Sequence, residues 1–457
     1  MSVLNRGVLR RCPENPRYFQ DGEGRAVLLT GSHTWANLQD ILVEGGRPFP
    51  YDEFLEMLVS HGHNFMRCWQ WNHPMWTPWT SQPTRIEPLP WQRTGPGLAQ
   101  DGKPKFDLTK WNEAYFERIR ERIVRAGERG IYTSVMFFDG WTLRNTRFEA
   151  SDAWATHPFN GANNVNGVHG DPDGDGITDI YSLESPEVLE FQKAFIRKTI
   201  DTLNDLDHVL WEIINEVEPS LRAYAWHIHM VDYVHAYEAT LPKQHPVGMT
   251  AVSGTQDNNL LFYSPADFIA PGNGPNREYR YNPPAADGRK VIITDTDHLW
   301  GVGGNYHWVW RSFTRGLNPI FMDPWEPLTG RLDYPAGAEN HVNRRDYPEW
   351  EPLRRSMGAV RRMSERIDRK RSTPQNNLAS SRFCLADPGT SYVVYVPLTQ
   401  RVVTVDLSAA RSTLRYEWSD PVTAEVAGTG TVAGGGLAEF PVPDSLQRDA
   451  VLLVQRP

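Results

Sequence analysis

Cysteine is scarce in this 457-residue sequence, and its three cysteines, Cys12, Cys68 and Cys384, lie far apart. This odd number and wide spacing argue against a disulfide scaffold, and no Cys/His spacing typical of a metal site is present. Positive charge is also in deficit, because 56 acidic residues outnumber 47 basic ones and leave a net charge of −9. The balance argues against a nucleic-acid partner and against binding to an anionic membrane surface.

Long apolar runs are missing as well. The sequence contains no run of 18 apolar residues, and its first 19 residues have no apolar stretch of the kind found in signal peptides. These absences predict a chain without a membrane partner. They favour a cytoplasmic location, or secretion if a signal peptide has been removed. No feature of the sequence indicates an oligomeric state.

Tryptophan, by contrast, is abundant, with 17 residues, and aromatic residues make up 11% of the chain. Five tryptophans lie between residues 69 and 91, and several others directly follow predicted strands. Tryptophans at strand ends are typical of pockets that bind a flat apolar surface, such as the face of a sugar ring.

Short apolar runs alternate with helical patterns through the first four fifths of the chain. The runs begin near residues 26, 64, 132, 209, 246, 267, 291 and 318, and the clearest helical patterns cover 111–130, 186–206, 219–239 and 347–369. Apolar strands separated by helices indicate a parallel sheet covered on both faces. Eight such runs favour an α/β fold of the (β/α)₈ TIM-barrel type over a doubly wound sheet.

The pattern changes after about Arg371, where β-rich runs are separated by Gly, Pro, Asp and Ser turns. This predicts a small antiparallel β-sandwich. The polar stretch RSTPQNN, which begins at Arg371, marks the boundary. We therefore expect a catalytic barrel over residues 1–373 and a C-terminal β-sandwich domain over 376–457.

In a (β/α)₈ barrel the active site lies at the carboxyl ends of the strands. The side chains expected to bind substrate at these ends are His33, Trp35, Arg67, Trp69, Trp71, Asp139, Trp141, Asn215, His298, Trp300 and Trp325. The carboxylic acids at the same ends are Glu216, Asp295 and Asp297. Together they suit cleavage of a glycosidic bond, which needs a protonated acid for the leaving oxygen and an ionised carboxylate for the cationic sugar.

The segment WEIINEVEP at 211–219 resembles the fourth-strand Asn-Glu signature of clan A glycoside hydrolases, which are retaining (β/α)₈ barrels. The resemblance implies that Glu216 is the acid/base and that Asn215 binds the hydroxyl next to the reacting carbon. Arg67, in NFMRCWQW, resembles the second-strand arginine that supports the nucleophile in that clan. Two plainer interpretations stay open: Glu216 as an acid stabilised by a helix dipole, and Arg67 as a surface residue.

Three further features narrow the resemblance. The opening LLTGSHTW, the late NPIFMDPW and the C-terminal region resemble bacterial barrel proteins, related to apiosidases, that are grouped with glycoside hydrolases. Their C-terminal domain carries a collagen-binding label. The similarity extends over nearly the whole chain. From residue 376 onwards we expect a structural module that packs against the barrel rather than a collagen-binding surface.

The seventh strand departs from the clan pattern, because KVIITDTDHLW has Asp295 where those enzymes have a glutamate nucleophile. The register of VIITD favours Asp295 as nucleophile. Asp297 faces the same way if the strand continues that far, and one of the two acids then has a raised pKa. Aspartate is one methylene shorter than glutamate, so the carboxyl separation could exceed the roughly 5–5.5 Å of retaining enzymes. Retention is expected from the resemblance, and inversion stays open.

A second acidic cluster, GDPDGDGITDIY at 170–181, matches positions 1, 3, 5, 6 and 9 of a calcium-binding loop. Its acids are Asp171, Asp173, Asp175 and Asp179, but position 12 is Ser182 instead of a bidentate glutamate. A structural Ca²⁺ site and an acidic loop without metal both stay open. We expect no cofactor in catalysis.

These features predict a glycoside hydrolase that cleaves a glycosidic bond in an oligosaccharide or a polysaccharide side chain by a two-carboxylate mechanism. The first alternative is a carbohydrate-binding barrel without catalysis, in which the seventh-strand change marks lost chemistry. The second is a matrix-adhesion protein that binds through its C-terminal domain, where Tyr416 and Trp418 are the most prominent aromatic residues.

Overall fold

The computed structural model describes residues 6–42, 46–75, 84–144, 153–174, 179–251, 257–325 and 347–457. Eight parallel strands form a single sheet that curls into a nearly closed barrel. Strands β1 to β8 are Gly31–His33, Phe65–Trp69, Tyr132–Asp139, Val209–Asn215, Val247–Thr250, Phe268–Ala270, Val291–Asp295 and Asn318–Met322. Their spatial order is β1-β8-β7-β6-β5-β4-β3-β2. The predicted TIM barrel is confirmed.

The first strand lies further along the chain than its apolar run suggested. Ala26–Val27 belongs instead to a small antiparallel sheet with Phe19–Gln20 and Arg10–Arg11. The Asn64 side chain accepts a hydrogen bond from the Thr30 amide and donates one to the Leu28 carbonyl. These bonds satisfy the backbone ahead of β1, so the barrel strand begins only at Gly31.

The seam between β1 and β2 is closed by side-chain amides. Asn37 donates to the Arg67 carbonyl and accepts from the Trp69 amide, and Gln39 bonds both backbone groups of Trp71. A primary amide offers the same donor and acceptor as a peptide group, so it can take the place of a neighbouring strand. Gly31 permits the close approach, since a Cβ there would lie 2.2 Å from the Phe65 carbonyl oxygen.

Helices cover the outside of the barrel. Helices α1 to α11 are Tyr51–Ser60, Glu113–Glu128, Trp141–Arg144, Ala153–Thr156, Pro186–Leu203, Leu221–Glu238, Asn259–Tyr263, Glu278–Tyr281, Thr296–Trp300, Tyr306–Thr314 and Trp350–Glu365. The four helices predicted from periodicity are all present and are a few residues shorter. For example, α6 begins after Ser220, whose hydroxyl accepts from the Ala223 amide. None of the described helices is long and apolar enough to cross a membrane.

Four further short strands extend the loops after β1 and β2. Asp40–Leu42 pairs with Arg85–Glu87, and Trp91–Leu98 forms an antiparallel hairpin with Pro104–Trp111.

The C-terminal region is antiparallel, as predicted. Strands β9 to β16 are Thr373–Pro374, Cys384–Asp387, Ser391–Val396, Val402–Asp406, Leu414–Ser419, Val426–Val432, Leu437–Pro441 and Ala450–Gln455, and a 3₁₀ turn covers Asn376–Leu378. Six of them form one sheet in the order β9-β10-β11-β16-β13-β14, and β12 pairs with β15.

One face of the six-stranded sheet packs against the barrel. Val393 and Leu453 belong to the same hydrophobic cluster as the barrel core, whereas their neighbours Val394 and Leu452 belong to a separate C-terminal cluster. This division follows from the alternation of side chains along a strand. At the junction, Trp310 Nε1 donates to the Pro421 carbonyl over 2.7 Å. Ser356 of helix α11 donates to the same carbonyl, so the C-terminal region packs on the barrel at helices α10 and α11.

Candidate active site

A cavity of about 300 Å³ lies where the carboxyl ends of the barrel strands meet. Ten of the side chains expected from the sequence line it: Trp35, Trp69, Trp71, Asp139, Trp141, Asn215, Glu216, Asp297, His298 and Trp300. Leu299, Gly301 and Val302 complete the lining among the described residues. The cavity thus combines acids with aromatic rings, as a sugar site requires.

Four expected residues lie elsewhere. His33, Arg67 and Asp295 are buried behind the cavity lining rather than on it. Trp325 is also buried, and its ring centroid lies 5.5 Å from that of Phe54. Trp325 therefore packs into the protein core, since the side chain turns towards helix α1 after strand β8.

Arg67 is the centre of a buried ionic network. Its Nη1 donates to Asp295 Oδ2 over 2.6 Å and lies 3.5 Å from Asp297 Oδ2. Its Nε lies 3.1 Å from both carboxylate oxygens of Glu212, and its Nη2 also bonds Glu212. The residue is only 1% exposed, which rules out the surface interpretation. A buried guanidinium needs such partners to offset its desolvation.

Both oxygens of Asp295 are engaged within the protein. Oδ1 bonds His33 Nε2 and accepts from the Asp297 amide, each over 2.9 Å, while Oδ2 accepts from Arg67. Burial by itself would raise the pKa of Asp295, but the neighbouring His33 and Arg67 hold it well below its usual range. Asp295 is therefore a buried, ionised and fully hydrogen-bonded carboxylate.

Asp297 has a different environment. Strand β7 ends at Asp295, which caps helix α9, so the two acids do not share one strand face and the assumption of a longer strand does not hold. The Asp297 side chain is 11% exposed and lines the cavity. Burial and, next, the charge of Glu216 raise the pKa of Asp297 well above its usual range, and Asp295 adds a smaller effect.

Glu216 follows directly after strand β4 and is half-buried on the cavity lining. Its backbone has a φ of +43°, in the left-handed region that non-glycine residues seldom occupy. The Asn215 carbonyl ahead of it accepts from the Gly140 amide over 2.8 Å. Gly140 is required here, because a Cβ would lie 2.6 Å from the Val217 Cα. The turn that presents Glu216 is therefore fixed by close contact with the end of β3.

Asn215 and His298 extend the network into the cavity. Asn215 Oδ1 accepts from Arg67 Nη2 over 3.1 Å and lies 3.2 Å from His298 Nε2. Burial and the nearby Arg67 charge lower the pKa of His298 to about 3. The imidazole is thus neutral at ordinary pH.

The tryptophans of the cavity lining pack against other aromatic rings. Trp69 and Trp71 stack with ring centroids 5.3 Å apart and planes 12° apart, and Trp71 Nε1 donates to the Trp35 carbonyl. Trp300, also on the lining, packs edge-to-face with Trp308, and the two ring centroids are 5.6 Å apart. Such fixed rings provide flat apolar surfaces for sugar faces.

The sequence interpretation missed Glu212 as part of the site. This residue is 1% exposed and bonds Arg67 and the Ser134 hydroxyl. A signal was present, because an acid inside an apolar strand needs a buried cation, and Arg67 is the matching cation inside another apolar strand.

Metal ligation is poorly supported at the cavity. Asp295, Asp297 and His298 place one ligand atom each within 4.8 Å of one another. However, the Arg67 guanidinium already contacts both carboxylates, and its charge opposes a divalent cation there.

Among the described residues of the acidic loop at 170–181, no three acidic, histidine or cysteine side chains lie close enough together to hold a metal ion. Asp171 accepts from the Gly174 amide, Asp173 is exposed and Asp179 lies 3.8 Å from Arg222. Asp175 lies outside the described residues. Calcium binding by the loop stays a prediction.

Comparison with known proteins supports the fold. Residues 63–268 match a family described as a domain of unknown function, DUF6298. No curated protein matches the sequence. A solved structure named as a glycoside hydrolase is 13% identical with a TM-score of 0.61, covering 100% of this chain and 98% of its own. A glycoside hydrolase family 5 protein from Bacteroides vulgatus ATCC 8482 is 14% identical with a TM-score of 0.61, covering 100% and 95%. At these sequence identities the similarity shows the fold alone. This chain shares the barrel architecture of glycoside hydrolases whose structures have been solved.

Proposed function

We propose that the protein is a glycoside hydrolase whose two reacting carboxylates are Glu216 and Asp297. The observation that carries the proposal is that both acids line one cavity and that the charge of Glu216 raises the pKa of Asp297. A pair of carboxylates of which one is protonated and the other ionised supplies the acid and the base of glycosidic cleavage.

Arg67 supports a division of roles. Its Nη1 lies 3.5 Å from Asp297, and this positive charge favours the ionised form of that carboxylate against the net rise in pKa that burial and the Glu216 charge cause. When Glu216 is protonated, it carries no charge and no longer raises the pKa of Asp297. Glu216 is then the acid that protonates the leaving oxygen, and Asp297 is the nucleophile of a retaining mechanism. Asp295 anchors Arg67 without touching substrate.

The surrounding residues suit a carbohydrate. Trp69, Trp71 and Trp300 provide ring surfaces, and Asp139, Asn215 and His298 provide hydrogen-bonding groups on the cavity lining. In line with the apiosidase-related resemblance, we propose an oligosaccharide or a polysaccharide side chain as substrate. The C-terminal strands then act as a structural module, as their packing against the barrel supports.

The test is hydrolysis of a panel of aryl glycosides, with the product anomer followed by proton NMR. We expect Glu216→Gln and Asp297→Asn each to lower kcat by about 10²–10⁴-fold while the circular dichroism spectrum is unchanged, and Asp444→Asn, at an exposed position, to keep full activity. Azide should restore turnover of an Asp297→Ala variant and give a glycosyl azide of inverted configuration.

Full activity in both carboxylate variants would contradict the assignment. A wild-type protein that binds sugars but cleaves none of the glycosides would favour the alternative of a carbohydrate-binding barrel. An inverted anomer as the first product would replace the retaining mechanism by an inverting one, in which Asp297 activates a water molecule.

A further inference from the structure

Two polar atoms of the cavity-lining residues have no protein partner. His298 Nδ1 and Trp69 Nε1 are buried and make no hydrogen bond, although both residues line the cavity. A buried polar atom without a partner is costly, and few occur in folded proteins. In residues that line a cavity, such atoms are the candidates for hydrogen bonds to a ligand.

The network behind the cavity determines where the His298 proton lies. Arg67 can only donate, so the Asn215 atom that bonds its Nη2 is the amide oxygen. That oxygen can only accept, and it lies 3.2 Å from His298 Nε2. Nε2 must therefore carry the hydrogen. In a neutral imidazole the other nitrogen, Nδ1, then has a lone pair and is an acceptor.

Glu212 makes this arrangement rigid. Its carboxylate holds the Nε of Arg67 over 3.1 Å, which fixes the guanidinium plane and hence the direction of Nη2. The chain of contacts runs from Glu212 through Arg67 and Asn215 to His298. Because burial and the Arg67 charge lower the pKa of His298 to about 3, the ring does not acquire a second hydrogen in mildly acidic solution.

We propose that His298 Nδ1 accepts a hydrogen bond from one hydroxyl of the substrate and thereby makes an unmodified hydroxyl at that position a condition of recognition. The inference rests on the proposed function in one respect, that the cavity binds a sugar. The ligand must donate a hydrogen bond to His298 Nδ1. A sugar whose hydroxyl at that carbon is removed, or replaced by an O-methyl or O-acetyl group, cannot donate and is therefore rejected. Trp69 Nε1, a donor without a partner, is suited to a neighbouring ligand oxygen.

Two variants of His298 separate its nitrogens. The side-chain nitrogen of His298→Gln reaches the position of Nε2 and keeps the donation to Asn215, but the Nδ1 acceptor is lost. The amide oxygen of His298→Asn reaches the position of Nδ1 and keeps an acceptor. Both variants are compared with wild type on the cleaved aryl glycoside and on its complete set of monodeoxy analogues.

For wild type we expect one analogue to lose roughly tenfold or more in kcat/KM. The kcat/KM of His298→Gln on the parent glycoside should be lower than that of wild type by a similar factor, and its kcat/KM on that analogue should be no lower still. His298→Asn should still cleave the parent glycoside better than the analogue. Discrimination by His298→Gln equal to that of wild type for every analogue would overturn the proposal.

A second measurement needs no turnover. Ring ¹⁵N NMR of histidine-labelled protein, assigned with His298→Gln, should show the Nε2-protonated neutral tautomer of His298 at pH 5. A protonated Nδ1 would overturn this inference alone. A wild-type protein that cleaves no glycoside would instead contradict the proposed function, so the two failures are distinguishable.

Discussion

Arg67 Nη1 donates to Asp295 Oδ2 over 2.6 Å, with both side chains almost completely buried. A nucleophile must have an oxygen that can approach the sugar. Asp295 instead directs both oxygens to His33, Arg67 and the Asp297 amide. We therefore propose that Asp295, at the register of the clan nucleophile, supports the site from behind, and that Asp297, which lines the cavity, presents the reacting carboxylate.

This division predicts different consequences for two conservative variants. Asp297→Asn should lower kcat by about 10²–10⁴-fold and leave the free energy of unfolding nearly unchanged. Asp295→Asn should lower the free energy of unfolding by about 3–5 kcal/mol, because it breaks a buried ion pair. Urea unfolding and kcat of both variants check the prediction. A stable, inactive Asp295→Asn beside an active Asp297→Asn would reverse the roles.

The Glu212–Arg67 pair should be strongly coupled. Glu212→Gln removes a negative charge that offsets the buried Arg67 guanidinium, and it should lower the free energy of unfolding by about 3–5 kcal/mol. Arg67→Met should lower it by a similar amount. Because each variant leaves a buried charge without its partner, the double variant should cost less than the sum of the two. A double-mutant cycle from urea unfolding measures this coupling, and additivity within about 0.5 kcal/mol would contradict it.

Buried histidines should make the fold sensitive to acid. His227 is buried, neither of its ring nitrogens has a partner, and burial lowers its pKa to about 3. The unfolded chain takes up a proton near pH 6.5. The stability that neutral His227 provides is therefore complete above that pH and is lost as the pH falls towards 3, at about 1.4 kcal/mol per pH unit.

Replacing this residue provides the measurement. His227→Leu should reduce the slope of unfolding free energy against pH between 6 and 4, as followed by urea unfolding. His235 is the control of opposite sign, because its hydrogen bond to Asp267 raises its pKa. The stability that protonated His235 provides is complete below the pKa of this histidine in the unfolded chain. It is lost as the pH rises through the higher pKa of His235 in the folded protein. An unchanged acid slope in His227→Leu would contradict the prediction.

The barrel and the C-terminal sheet should unfold together. Leu453 is buried in the cluster that includes the barrel core, so Leu453→Ala should cost about 2–5 kcal/mol and lower one common transition. Tryptophan fluorescence and far-ultraviolet circular dichroism should report coincident midpoints. Val402→Ala is the matched control, because Val402 is exposed and should change stability by less than about 0.5 kcal/mol. Separate transitions would contradict a shared core.

The acidic loop offers a simple metal test. If residues 170–181 bind structural Ca²⁺, thermal unfolding should shift upwards with added Ca²⁺ relative to chelator, because a ligand specific to the folded state stabilises it. Asp171→Asn should abolish the shift. The same midpoint with Ca²⁺ and with chelator would favour the acidic loop without metal.

Most of the fold could be predicted because β2 to β8 lie in short, mostly apolar runs that alternate with helical patterns. Strand β1 was the exception, since its apolar run ends before the strand, where Asn64 satisfies the backbone. Most cavity residues followed from the rule that barrel sites lie at strand ends. Trp325 did not, because contact with Phe54 is a tertiary feature that no local pattern contains.

The seventh strand shows why local alternation was insufficient. Asp297 was placed by extending a strand, whereas the Asp295 carboxylate accepts from the Asp297 amide and starts a helix. An aspartate that caps a helix whose first turn contains another acid is a recognisable signal, and it points to a helix start. Glu212 could also have been paired with Arg67 by charge alone, but the contact depends on the curvature of the barrel.

The left-handed backbone of Glu216 has a consequence for engineering. A non-glycine residue in that conformation costs of order 1–3 kcal/mol, and glycine would adopt it without steric strain. A library of variants selected only for heat resistance should therefore enrich Glu216→Gly, a replacement that removes the proposed acid. Selection for thermostability in this protein would have to keep Glu216 unchanged, because glycine at that position favours stability whereas the proposed reaction needs the carboxylic acid.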